Sequence, residues 1–139
     1  MKWFVRVLGV LIALLVVLFV IFRTPDTDPD AMRAKYGGAP SQFVELPSGQ
    51  TIHVRDEGAG DGPPIILIHG ANSSLHTWDQ WAKELTPNHR VIRFDTVGHG
   101  LTGAAEDGDY SKERYVADLD ALAEHFELET FVVAGSSMG

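Results

Sequence analysis

Cysteine is absent from all 139 residues. That excludes disulfides, thiolate metal sites, a cysteine nucleophile and a lipid-modified cysteine, and leaves the redox compartment open. Basic charge is scarce as well, with eleven Lys and Arg against nineteen Asp and Glu for a formal net charge of −8. The deficit is uneven. No acidic residue precedes Phe22, whereas Lys2 and Arg6 do, so the rest of the chain sets nine bases against nineteen acids, an excess of ten negative charges. A surface of that sign repels a phosphate backbone, which excludes nucleic acid as an expected partner. Metal-ligand spacing is missing too. The histidines form no H-E-x-x-H pattern, and the run Glu106, Asp107, Asp109 lacks the EF-hand order, so it reads as a solvated loop. No metal and no cofactor is expected, and the chain holds neither an internal repeat nor a low-complexity tract.

What is present begins with Val7 to Phe22, an unbroken run of apolar residues and one glycine that, with Trp3, Phe4 and Val5 ahead of Arg6, approaches the ~20 residues needed to cross a bilayer. The alternative is a cleaved signal peptide. Cleavage wants small residues after the apolar core, and Val20-Ile21-Phe22-Arg23 offers bulky ones, so the expectation is a retained anchor over residues 1–23. Lys2 and Arg6 precede the run, and Arg23, Asp26, Asp28 and Asp30 follow it. By the positive-inside rule the N-terminus lies in the cytoplasm and the remainder outside, with Arg23 narrowing the margin. Residues 24–41, rich in proline and aspartate at their start, read as a solvated linker, with order resuming near Gln42.

Phe43-Val44-Glu45-Leu46 and Thr51-Ile52-His53-Val54-Arg55 flank the turn residues Pro47-Ser48-Gly49-Gln50, which predicts an antiparallel hairpin. Ile65-Ile66-Leu67-Ile68 is a continuous apolar run suited to a strand covered on both faces. Leu75, Trp78, Trp81, Ala82 and Leu85 recur at helical spacing, predicting a helix from about Ser74 to Leu85, with Ser73 and Ser74 as caps and both tryptophans on the sheet. Val91 to Phe94 is the next strand. From Ser111 to Phe126 a second helix places Tyr115, Val116, Leu119, Leu122 and Phe126 on one face, its charged residues opposite. A last strand, Phe131 to Ala134, follows. Two strand-helix-strand crossovers imply a parallel sheet with helices on its faces.

Chemistry concentrates at the C-terminal ends of those strands. Gly135-Ser136-Ser137-Met138-Gly139 fits G-x-S-x-G, and directly after a buried strand it can turn sharply into a helix so that Ser137 projects its hydroxyl above the sheet. Flanking glycines let helix and strand approach closely. Attack by a serine on a carbonyl creates an oxyanion that needs fixed N–H donors. The N–H after the nucleophile, on Met138, is one candidate, and Ala71 in the loop Ile68-His69-Gly70-Ala71-Asn72 is the other, with Asn72 in reserve. His69 is expected to make structural hydrogen bonds. Ser137, His99 and Asp95 could be assembled into a triad, but the spacing of Asp95-Thr96-Val97-Gly98-His99-Gly100 fits a glycine-rich turn held by its polar side chains. His53, His76, His89 and His125 are expected at the surface or at helix ends.

With His69-Gly70, Asp95 to Gly103 and Gly135 to Gly139 in that order and spacing, residues 42–139 resemble the first half of the α/β-hydrolase fold superfamily. The resemblance implies an esterase, a lipase or a carbon-carbon bond hydrolase with a serine nucleophile. Members with aspartate at the elbow, the haloalkane dehalogenases and epoxide hydrolases, are disfavoured by serine at 137. It also implies that the triad's acid and histidine come later than the serine, so the 139 residues alone should be inactive. The expected fold is therefore α/β, a mostly parallel sheet behind one transmembrane helix. Two rivals stand beside the leading reading of a membrane-anchored serine hydrolase for a small ester-like substrate: a non-catalytic hydrolase-like binding domain, and a small membrane-tethered interaction module.

Overall fold

A computed structural model describes residues 2–139. The apolar run forms helix α1 (Lys2–Phe22), none of whose residues is buried against the rest of the molecule. The stretch 24–41 is not wholly irregular: Pro29–Tyr36 forms α2, with proline in its first turn and Asp28 accepting the Asp30 N–H at 3.0 Å as its N-cap. Strands β1 (Ser41–Glu45) and β2 (Thr51–Glu57) make the expected antiparallel hairpin. Then come β3 (Gly62–Ile68), α3 (Asp79–Leu85), β4 (His89–Phe94), α4 (Lys112–His125) and β5 (Val132–Gly135).

The five strands lie in the order β1-β2-β4-β3-β5. β3 runs parallel to both β4 and β5, as the crossovers require, whereas β2 pairs antiparallel with β4. Alternation along the central strands sends side chains to two cores. Ile66, Ile92 and Phe94 join Ile52, Val54, Leu122 and Phe126 beneath α4, while Ile65, Leu67 and Val91 meet Ala82 of α3 on the opposite face. The sheet is thus covered on both sides, which is why Ile65 to Ile68 of β3 form an unbroken apolar run and Val91, Ile92 and Phe94 of β4 are all buried.

Three local expectations fail. The helix expected from Ser74 to Leu85 opens as a 3₁₀ turn, Leu75–Trp78, before α3 begins. Ser74 occupies the cap position without a side-chain bond, and the Leu75 N–H is satisfied by Asp95 Oδ1 at 2.7 Å from across the sheet. Trp81 is 61% exposed and stands edge-on to Trp78, its ring centroid 6.3 Å away, so only Trp78 packs on the core. On α4 the charged residues do not all face water: Arg114 and Asp118 are buried and Val116 is exposed. Arg114 donates to Asp118 at 2.8 Å and to Asp107 at 2.6 Å, and that neutralisation is what allows two charges into the interior.

Candidate active site

β3, β4 and β5 end at the same edge of the sheet, and each delivers one loop of the site. β5 runs into Ser136, whose N–H donates to the Ile68 carbonyl at 3.1 Å, and the next residue, Ser137, adopts φ 58°. A left-handed backbone at a non-glycine residue is costly and persists only where its surroundings enforce it. Here the enforcement is steric. A Cβ on Gly135 would run into the backbone of Gly139, and one on Gly139 would meet the carbonyl group of Ile68. Both flanking glycines are therefore required by close approach, and the Gly139 N–H closes the turn on the Ser136 carbonyl at 3.0 Å.

The loop after β3 comes up against this turn. A Cβ built on Gly70 would lie 3.0 Å from Ser137 Cβ and 2.9 Å from the Ser136 carbonyl oxygen. Gly70, a residue to which the sequence reading assigned no role, is thus what lets the 70–72 loop touch the serine, and the His-Gly pair was its only signal. Asn72 also takes a left-handed conformation, φ 54°, and Ala71, Asn72 and Met138 are all exposed. Among the described residues none of their three N–H groups donates to a protein acceptor, and Ser137 Oγ makes no hydrogen bond.

His69, fully buried, is fixed by its neighbours. Nδ1 lies 2.7 Å from the Gly70 carbonyl and must donate to it, while Nε2 accepts the Thr96 N–H at 3.1 Å. Burial pushes its pKa below the usual histidine range against the opposing pull of the Gly70 carbonyl, so it sits neutral with both nitrogens committed. It holds the two loops together and has no free lone pair with which to take a proton. His99 is anchored in its own turn, with Nδ1 3.2 Å from both Thr96 Oγ1 and the Val97 carbonyl.

Asp95 does not serve His99. Its carboxylate accepts from the N–H groups of Leu75 at 2.7 Å and Leu101 at 2.8 Å, and lies 2.7 Å from His53 Nδ1. Burial alone would raise its pKa; the bonds from His53 and the two backbone N–H groups outweigh that and hold the carboxyl below the usual carboxylate range. His53 is therefore no surface residue. It is completely buried, and 42 residues of sequence separation from Asp95 left no signal of the pair. A Ser-His-Asp chain does exist here, because His53 Nε2 lies 2.8 Å from Ser41 Oγ, but that oxygen also accepts from Arg55 Nε at 3.0 Å and donates to the Tyr36 carbonyl at 3.2 Å. Tied to three partners and backed by a sealed imidazole, it is a structural knot and not a nucleophile.

A sheet of this topology ending in a strained serine turn marks the class. The chain belongs to the alpha/beta hydrolase fold family, whose model matches residues 63–139, more than half of it. It is 33% identical over 97 residues to a 2-hydroxy-6-oxo-2,4-heptadienoate hydrolase of Pseudomonas putida, covering 68% of this chain and 34% of that protein. A proline iminopeptidase of Lactobacillus helveticus is 35% identical over 81 residues, 55% of this chain and 28% of that one. Among solved structures, a hydrolase from Pseudomonas aeruginosa superposes with a TM-score of 0.67 at 28% identity, over 73% of this chain and 38% of that one. An epoxide hydrolase of Vigna radiata gives 0.65 at 25% identity, over 71% and 32%. The chain spans about a third of the length of the curated relatives it matches.

Proposed function

We propose that the protein is a serine hydrolase anchored to a membrane by α1, with Ser137 attacking an ester-like carbonyl or a ketone carbon beside the carbon-carbon bond to be cleaved. The observation that carries this reading is Ser137 held at φ 58° at the end of β5, against the Gly70 loop. A strained, exposed turn that presents a hydroxyl is what nucleophilic catalysis needs. The unpaired N–H groups of Met138 and Ala71, with Asn72 next to them, supply donors for a developing oxyanion. Likeness to an epoxide hydrolase supports the fold; serine at position 137 favours acyl chemistry over the aspartate chemistry of that class. His69, His99 and Asp95 are all engaged elsewhere, so the general base and its orienting acid are assigned to parts of the full-length protein outside residues 1–139.

The test is made on that full-length protein. Ser137→Ala should abolish both ester hydrolysis and labelling by an organophosphonate, because the serine oxygen is the atom modified. His99→Ala should retain a measurable fraction of the activity. Equal labelling of wild type and Ser137→Ala would remove the nucleophile assignment and leave a non-catalytic binding domain in its place.

A further inference from the structure

A backbone N–H is aimed by the plane of its peptide. In a trans unit the C=O and the N–H point in opposite directions, so the direction of the Gly70 carbonyl sets that of the Ala71 N–H. That carbonyl accepts from Nδ1 of the preceding side chain, His69, at 2.7 Å, and among the described residues this is its one hydrogen bond. The imidazole is fully buried, whereas Ala71 is exposed. With its oxygen held on the buried ring, the peptide turns its N–H away from the interior, toward the edge of the sheet where Ser137 stands.

Position 70 cannot supply this restraint by itself. Contact with the serine turn requires glycine there: an added Cβ would lie 3.0 Å from Ser137 Cβ and 2.9 Å from the Ser136 carbonyl oxygen. The same lack of a Cβ leaves the backbone on that side of the 70–71 peptide free to rotate. A loop that must be glycine to reach the serine therefore needs a second device to keep its N–H aimed. The ring that provides it is fixed from its far side, where Nε2 accepts the Thr96 N–H at 3.1 Å and must be bare to do so. That leaves the proton on Nδ1, as the Gly70 carbonyl demands. Burial pushes the pKa of His69 down, which keeps a second proton off the ring.

We propose that His69 is a positioning residue for the oxyanion donor: Thr96 selects its Nδ1–H tautomer, and Nδ1–H pins the Gly70–Ala71 peptide so that the Ala71 N–H is presented to the oxygen of the carbonyl under attack. The donor is then in place before substrate arrives, and no reorganisation is required as charge develops. The imidazole itself transfers no proton. The proposal rests on the readings of Ser137 as nucleophile and of Ala71 as donor.

Two substitutions in the full-length protein separate the two ring nitrogens. In His69→Asn the amide nitrogen falls where Nδ1 was and still donates to the Gly70 carbonyl, while the acceptor for Thr96 is lost. In His69→Gln the amide oxygen falls where Nε2 was and still accepts from Thr96, while the donor to Gly70 is lost. With p-nitrophenyl acetate, His69→Gln should lower kcat at least ten-fold, toward the about 10²- to 10³-fold that loss of an oxyanion donor costs, with KM within about three-fold. His69→Asn should keep kcat within about three-fold and lower Tm, because the buried Thr96 N–H is left unpaired. A folded His69→Gln variant that keeps kcat, or equal loss of kcat in two folded variants, overturns the proposal and leaves His69 as a fastener between loops. Nitrogen-15 NMR of the wild-type imidazole at neutral pH decides even where a variant does not fold: the proton should sit on Nδ1, and a proton on Nε2 overturns the proposal. These outcomes leave the serine-hydrolase reading standing, whereas absence of Ser137-dependent turnover of p-nitrophenyl acetate in the wild type overturns both.

Discussion

At the scale of single residues, the polar side chains of His69, His99 and Asp95 are engaged in structural hydrogen bonds, whereas Ser137 Oγ makes none among the described residues. Asp95 is the clearest case, because its two carboxylate oxygens terminate the 3₁₀ turn at Leu75, the loop at Leu101 and the imidazole of His53. Its pKa is depressed in the folded protein, so its contribution to stability is present above the ordinary carboxylate pKa of about 3.9 and is lost as pH falls through the still lower folded value. Asp95→Asn keeps the shape but loses the charge. It should cost about 3 kcal/mol at neutral pH by leaving buried donors poorly matched, and should flatten the acid limb of stability below about pH 4. Urea titrations of wild type and variant across pH 2 to 7 check both, and a variant with an unchanged acid limb would deny Asp95 this role.

Between elements, the charged side chains that the helical pattern placed in water turn out to fasten loops to the sheet. Arg114 on α4 reaches Asp118 one turn along, Asp107 in the preceding loop and Ser48 in the β1–β2 turn, the last at 3.4 Å. Asp118 carries a buried oxygen with no partner. Burial, helped by the nearby Asp107 and Asp109 and opposed by Arg114, pushes its pKa up. Arg114→Leu strands that carboxyl and should destabilise by about 3–5 kcal/mol, whereas Arg114→Leu with Asp118→Leu should recover most of the loss, since a buried pair is often replaceable by apolar side chains of similar volume. Chemical denaturation of the two variants gives the answer. Equal loss in both would mean that packing of the arginine stem, and not its charge, holds α4 in place.

For the molecule as a whole, the proposed orientation of the chain across a membrane rests on the asymmetry of charge about α1. α1 is 21 residues long, about 32 Å at 1.5 Å per residue, which matches the ~30 Å hydrocarbon core of a bilayer. Lys2 and Arg6 lie at its start and the acidic residues follow it, so reporter fusions placed after Asp30 should register outside the cytoplasm. Cytoplasmic signal from those fusions would reverse the orientation, and a released product with an N-terminus near Arg23 would identify a cleaved signal peptide. On the opposite flank, β5 is the last strand of the sheet, and Val132 and Val133 are each nearly half exposed on its two faces.

The order of strands and helices, the hairpin at 47–50 and the serine turn were legible in the sequence because each is set by local chemistry: apolar runs of strand length, period-3.6 patterns, and glycines at fixed offsets around Ser137. The helix at Pro29–Tyr36 was not, since its short polar sequence is held by Arg33 on Phe43 and by Tyr36 against residues distant in sequence. Nor were the burial of Arg114 and Asp118, the exposure of Trp81, or the passage of His53 from an expected surface residue to the partner of Asp95. Periodicity tells which side of an element faces inward, but a buried charge depends on where its counter-charge stands, and the cap of the Leu75 turn comes from Asp95, just past the end of β4. The sequence by itself determined the frame and the serine; only the tertiary structure decided which polar groups hold that frame together, because a hydrogen bond between residues 42 apart exists only after the sheet has brought them to one edge.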